Sequence, residues 1–346
     1  MAIKIRSARF PEDRSSLISF LREFLTPLSN DRRFDWLYLE NPAGQAHTWL
    51  AFNDADGAMI GVAAAFPRRI CAHGQAVRGY VLGDFCIHPS YRALGPALQL
   101  QRTCLQFANS SPAERAYDFP SEAMSAVYRR LGVAPQDRMF RMAKPLRVDR
   151  KVASKVKSQI LARGLSGLGN KALKWSRTRP GNGYEDEIIL QEGSCTDEFT
   201  RLAAEVQKHA GVCVVRDAPY LNWRFLSHPV QKFEILTARK NKALLAYLIF
   251  THEEQDVRIV DLLGTADTQL LRNIVLYAVE KAREGGAMTI SASFLSSHPC
   301  IKLFESMGFR RREPCRVFLF PSAANPSGLQ QSSADRWFLM DGDRES

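Results

Sequence analysis

The stretch Asp84-Phe85-Cys86-Ile87-His88-Pro89-Ser90-Tyr91-Arg92-Ala93-Leu94-Gly95-Pro96-Ala97 decides how this chain is read. An apolar strand, Tyr80 to Ile87, runs through a polar turn into a helix with apolar positions at Ala97, Leu98, Leu100, Cys104, Leu105 and Phe107. Gly95 lets a ligand approach the backbone closely. Pro96 suits a first helical position because its missing N–H would be an orphan there, and Ala97 keeps the first turn uncrowded. The free amides and the positive end of the helix dipole then face an anion such as a pyrophosphate. A plain strand-to-helix turn is the alternative that so short a pattern leaves open.

Outward from this stretch the periodicities alternate. Ile3 and Ile5 open a strand, and Leu17, Phe20, Leu21, Phe24 and Leu25 recur at helical spacing. Thr48 to Phe52 and Ile60 to Phe66 are strands separated by the turn Asp54-Ala55-Asp56-Gly57. After the central helix come a short strand, Ala116 to Phe119, and a helix, Met124 to Leu131, stopped by Gly132.

In this succession, the loop Arg92-Ala93-Leu94-Gly95-Pro96-Ala97 resembles the coenzyme A loop [RQ]-x-x-G-x-[GA] of the GNAT acyltransferases (GCN5-related N-acetyltransferases), with the likeness covering roughly residues 1 to 145. The resemblance implies an α+β, three-layer fold with a mixed, mostly antiparallel sheet between helices. It implies acyl-CoA, acetyl-CoA foremost, as co-substrate, with Cys86, Ile87, His88, Arg92, Ala93, Leu94, Gly95, Pro96, Ala97 and Ser121 around it. It also implies direct transfer to a small amine, such as an amino sugar, through a tetrahedral intermediate. The oxyanion donor would be a backbone amide near Cys86 to His88. Tyr128 stands where the family's thiolate-protonating tyrosine stands, with Ser121 in place of the usual asparagine and Gly132-Val133 closing the pattern. Asp84 is the candidate base, since burial beside Leu82 and Phe85 would raise its pKa, and His88 ranks behind it. A core tyrosine and a structural carboxylate are the plainer readings of Tyr128 and Asp84.

A near-repeat organises the rest. Phe34-Asp35-Trp36-Leu37-Tyr38-Leu39-Glu40-Asn41-Pro42 returns as Leu221-Asn222-Trp223-Arg224-Phe225-Leu226-Ser227-His228-Pro229. Tyr128 to Val133 returns as Phe304 to Phe309, where Phe304 has no proton to give. After Asp261-Leu262-Leu263 the second copy reads Gly264-Thr265-Ala266-Asp267-Thr268-Gln269, without the loop motif. The expectation is two tandem GNAT-like units, 1–145 with the donor site and a degenerate 183–321, joined by a basic linker, 146–182, and followed by a tail, 322–346. The tryptophans recur in both copies and are assigned to packing. The tail is polar through Ala334 and then turns apolar at Trp337-Phe338-Leu339-Met340, which suggests a docking segment, and Trp337-Phe338-Leu339 with Gly342-Asp343 resembles the end of tandem GNAT-like proteins of bacterial polysaccharide gene clusters.

Composition sets outer bounds. The chain has 346 residues, 45% hydrophobic and 24% charged, with a net charge of +11, which is room for about two soluble domains. No apolar run approaches the roughly 18 residues of a membrane span, and Met1 to Arg6 is no signal peptide, so a cytoplasmic protein is expected. The seven cysteines lack C-x-x-C or zinc spacing, so reduced thiols and no metal are expected, Cys86 included. Twelve Lys or Arg and one acidic residue, Asp149, fall within 141–179, a candidate face for a membrane, an anionic substrate or RNA, or simply a solvated connector. With only Trp175 interleaved, recognition of nucleic acid by stacking is not expected. Two other functions stay open: a Fem-type transferase using aminoacyl-tRNA, and a non-catalytic binding protein with a relict loop. The acceptor and the oligomeric state are not legible.

Overall fold

A computed structural model describes residues 2–92, 94–108, 115–147, 187–208, 210–320 and 336–345. Most of the basic linker and the polar part of the tail therefore lie outside the described residues. The first half runs β1 (Ile3–Ser7), α1 (Arg14–Phe24), α2 (Asp31–Phe34), β2 (His47–Asn53), β3 (Met59–Ala72), β4 (Gln75–Ile87), α3 (Leu94–Ala108), β5 (Arg115–Asp118), α4 (Glu122–Arg130) and β6 (Asp137–Pro145). The second runs β7 (Glu187–Leu190), α5 (Asp197–Gln207), β8 (Val212–Val214), α6 (Ala218–Leu221), β9 (Phe233–Lys240), β10 (Ala243–Glu253), β11 (Asp256–Gly264), α7 (Thr268–Glu284), β12 (Thr289–Leu295), α8 (Cys300–Ser306) and β13 (Arg310–Phe320), with β14 (Trp337–Phe338) beyond.

The strands join into one mixed sheet flanked by helices, ordered β1-β2-β3-β4-β5-β13-β6-β12-β11-β10-β9-β7. The terminal strands trade places. β13 closes the edge of β5 through Phe318 to Phe320, while β6 pairs with β12 along Thr289 to Leu295. Each half also has one parallel step. β4 pairs with β5 only over Gly79 to Val81, and β11 with β12 only over Asp256 to Ile259, so each pair parts beyond that point. β3 and β4 are longer than their apolar runs suggest, because the hairpin continues past Pro67 and Arg68 to the turn at His73-Gly74.

Trp36 and Trp223 hold the halves together. Each sits in a π-helical turn, closed by Glu40 N–H to Asp35 O at 2.9 Å and by Ser227 N–H to Asn222 O at 2.8 Å. Each indole donates to the other's carbonyl at 2.8 Å, and the rings stack at 5.1 Å. A buried indole N–H needs a partner, and this pair supplies both while filling the core. Apolar side chains of α1 and α5 cover one face of the sheet, and those of α3, α4, α7 and α8 cover the other.

Candidate active site

The site begins where β4 leaves β5. Beyond Val81 the β4 edge that faced β5 has no strand partner among the described residues. At the same point the register with β3 jumps from Ala64 opposite Gly83 to Val62 opposite Cys86, a β-bulge that puts Asp84 at φ +43°. A non-glycine residue there is strained and is re-aimed out of the strand's alternation. A cavity of about 410 Å³ opens beside the bulge, lined by Leu82 to Phe85, Gln101 of α3, Asp118 to Ser121 and Met124 around the start of α4, Arg33, Trp36, Leu25, Thr26, Leu28, His228 and Glu345.

Asp84 lines this cavity, but its carboxylate is fully engaged. Arg33 donates to Oδ1 and Oδ2 at 2.9 and 3.0 Å, and the Tyr38 hydroxyl donates to Oδ2 at 2.7 Å. Burial works against the Arg33 charge, yet the Asp84 carboxylate more than offsets it and raises the Arg33 pKa; burial, then Asp84, raises that of Tyr38. Three hydrogen bonds thus hold the Asp84 carboxylate against Arg33 and Tyr38 at the bulge.

Tyr128 is fully buried and does not itself line the cavity. Its hydroxyl donates to Asp118 Oδ2 at 2.6 Å and accepts from Gln101 Nε2 at 3.0 Å, and both of those residues are on the cavity wall. The ring stacks on Phe318 of the exchanged strand at 4.4 Å. Burial lifts the Tyr128 pKa well above its ordinary value, with the Asp118 charge adding to it. Burial also pushes Asp118 up to about 7, against the hydrogen bond from Tyr128 and with the Glu345 charge helping. Tyr128, Asp118 and Gln101 thus form a proton-holding chain that ends on the cavity.

Glu345 was not legible in the sequence. Its side chain packs so closely on Gly83 that a Cβ there would lie 2.5 Å from its Cγ, which explains a glycine in mid-strand. The segment before it is pinned by Arg216 to Asp343 at 2.7 Å, by the Tyr117 hydroxyl to Asp343 O at 2.8 Å and by Arg224 Nε to Gly342 O at 3.0 Å. Burial raises the pKa of the Glu345 carboxyl, against a hydrogen bond from its own backbone amide and the nearby Arg344 charge. No periodicity marks such a residue; the only signal was the apolar Trp337-to-Met340 run docking the chain nearby.

The loop residues fall as follows. Gly95 is open, with nothing within 4 Å of where a Cβ would sit, so packing does not require a glycine there. The first turn of α3 carries no acidic residue, and Pro96 and Ala97 are buried against the sheet. Arg92 is exposed; Ala93 and the Leu94 side chain lie outside the described residues. The His88 ring packs on Phe24 at 4.6 Å, and its Nδ1 accepts from the Ser90 amide at 3.2 Å, so it caps the turn Pro89–Tyr91. Ser121 Oγ caps α4 by accepting from the Met124 amide at 3.2 Å, and it also faces the cavity. Cys86 and Ile87 are buried, and burial pushes the Cys86 thiol up to about 11, which keeps it unreactive at neutral pH. No cluster of three metal-ligating side chains occurs among the described residues, and no described helix is long and apolar enough to cross a membrane.

No family model and no curated protein matches this chain in sequence. Solved structures do match in fold. A conserved protein of unknown function from Enterococcus faecalis, titled a probable N-acyltransferase, aligns over 92% of this chain and 72% of its own at TM-score 0.67 and 11% identity. A GCN5-related N-acetyltransferase from Anabaena variabilis aligns over the same shares at 0.65 and 15% identity. The Saccharomyces cerevisiae N-myristoyltransferase with bound myristoyl-CoA aligns over 92% of this chain and 82% of its own at 0.56 and 12% identity. The chain therefore has the fold of the GCN5-related N-acetyltransferases, a mixed sheet between helices that parts beside the candidate site.

Proposed function

We propose that this protein is an acyl-CoA-dependent N-acyltransferase built from two tandem GNAT-like units, with one donor site in the first. The observation that carries this is the parted β4–β5 pair, which leads from the start of α3, whose first turn carries no acidic residue, into a cavity holding both a proton-holding chain and the Glu345 carboxylate. The co-substrate would supply the activated thioester. The amides around Gly95 would hold its pyrophosphate through the helix dipole. Its extended arm would add to the free β4 edge as a further strand, and an amide near Phe85 to Ile87 would meet the developing oxyanion.

Glu345 takes the base role that the sequence reading gave to Asp84. Its raised pKa suits it to accept the proton of an incoming ammonium. Asp118, on the cavity wall and protonated, gives its proton to the departing thiolate, and the Tyr128 hydroxyl hydrogen bond supports the carboxylate that forms. Arg33 and Asp84 hold the bulge that aims the oxyanion amide. The acceptor is a small amine, and acetyl-CoA is the donor to try first. The aminoacyl-tRNA alternative leaned on the linker, of which 148–182 lies outside the described residues.

Calorimetry with coenzyme A, followed by acetyl-CoA turnover over a panel of small amines, tests the reading. Saturable one-to-one binding is expected, and its absence rejects the proposal. Glu345→Gln is expected to leave that binding intact while slowing turnover by about 10²-fold or more. An unchanged rate returns the base to another group.

A further inference from the structure

A second cavity, of about 580 Å³, lies in the other half where β11 parts from β12. Leu262 and Leu263 of β11, Leu271 of α7, Leu303 of α8 and Trp337 and Phe338 of β14 make its walls apolar. Its size and lining are those of a small-molecule site rather than a packing defect. Charge at the rim is uneven. Glu205 is already paired with Lys208 at 2.7 Å, whereas no described residue pairs with the exposed Arg336 guanidinium.

The start of α7 tells which ligands are excluded. Asp267 Oδ1 accepts from the amides of Gln269 and Leu270 at 2.9 and 3.1 Å, so the helix terminus carries its own anion. A phosphate brought to it would lose those donors and meet a like charge. The slot thus keeps an apolar interior without a phosphate seat, and its one unpaired cation lies at Arg336. Taking roughly 30 Å³ for each small heavy group, and leaving about a third of the space unfilled, about 12 chain carbons fit.

We infer that this cavity binds a free fatty acid of about 12 carbons, with its chain along Leu262, Leu303 and Phe338 and its carboxylate at Arg336. The site is separate from the proposed donor site and does not depend on it.

The probe is dodecanoate, titrated calorimetrically into the whole protein with coenzyme A in excess. Saturable one-to-one binding that coenzyme A does not displace is expected. Ala266→Trp at the exposed mouth and Leu303→Trp on the wall should each weaken it at least tenfold, with thermal melts confirming that both variants fold. Arg336→Gln should weaken dodecanoate about tenfold and leave dodecanol unchanged, the size of one lost charge-assisted contact. Absence of saturable binding, displacement by coenzyme A, or affinity unaltered in both tryptophan variants would overturn the inference. Equal effects of Arg336→Gln on acid and alcohol would do the same.

Discussion

The start of α3 and the start of α7 hold matching places, each following a strand that has parted from its parallel neighbour, and they are finished in opposite ways. In α3 the first turn carries no acidic side chain and the glycine is open; in α7 the Asp267 carboxylate bonds two of the amides. The next layer differs in the same sense. Asp118 and Tyr128 form a hydrogen-bonded pair in the first half, and at the corresponding strand end and helix of the second, Phe294 and Phe304 pack ring to ring at 4.8 Å. A fold tolerates either solution, because both satisfy the buried groups. Under the proposed function, only the first leaves donors, a transferable proton and a phosphate seat for a ligand.

The buried ion pairs give the largest test of this contrast. Arg216 serves two carboxylates, Asp261 and Asp343, with side chains no more than 2% exposed, whereas Arg33 serves Asp84 alone. Breaking a buried pair from one side costs about 3–5 kcal/mol, so urea unfolding should place Arg33→Met in that range and Arg216→Met at its top or beyond. Equal losses would mean that the second half does not depend more heavily on its arginine.

Next in size is Gly95→Val. The fold has room for the side chain, so the melt should hold, while coenzyme A affinity falls by on the order of 10³-fold as the backbone approach closes. Thr265→Val, after β11, should leave it unchanged. Gly264 is no substitute for that control, because a Cβ there would lie 2.6 Å from Ala246 Cβ.

Asp118 sharpens the comparison through pH. Its carboxyl is raised to about 7 in the fold against an unfolded value near 4, so between those limits the native state keeps a proton that the unfolded chain has lost. Stability from this group is full below about pH 4 and declines as pH rises toward 7, by on the order of 2–4 kcal/mol. Denaturant midpoints of Asp118→Asn should lack that decline, and a persisting slope would assign it elsewhere.

Tyr128→Phe makes the smallest change and copies what the second half already has in Phe304. Turnover is expected to fall by about 10²-fold with coenzyme A affinity and the melt nearly unchanged. Full activity would make Tyr128 a packing residue like its counterpart.

Local periodicity carried much of this architecture. The strand–loop–helix run through Gly95, the helix of Tyr128 and the recurrence around Trp36 and Trp223 all depend on neighbours within a few residues, which alternation and helical spacing record. What stayed hidden involves distant partners. Arg33 meets Asp84 across 51 positions and Trp36 meets Trp223 across 187, and no periodicity encodes such meetings. The polar segment that delivers Glu345 reads as tail, and the exchange of β6 and β13 leaves each strand's own pattern unaltered. The place of Asp84 on its strand was legible, but its partners Arg33 and Tyr38 were not.

The exchanged strands also put a clock on synthesis. β5 waits for Phe318 to Phe320 of β13, about 200 positions later in the chain. At roughly 5–20 residues per second, an emerging first half stands for about 10–40 s with one sheet edge bare. During that interval the bare edge is open to strands of other chains, and a ribosome-bound holdase would be the natural guard. Pulse-labelled protease sensitivity of the nascent chain should therefore end abruptly as β13 emerges, rather than fade domain by domain.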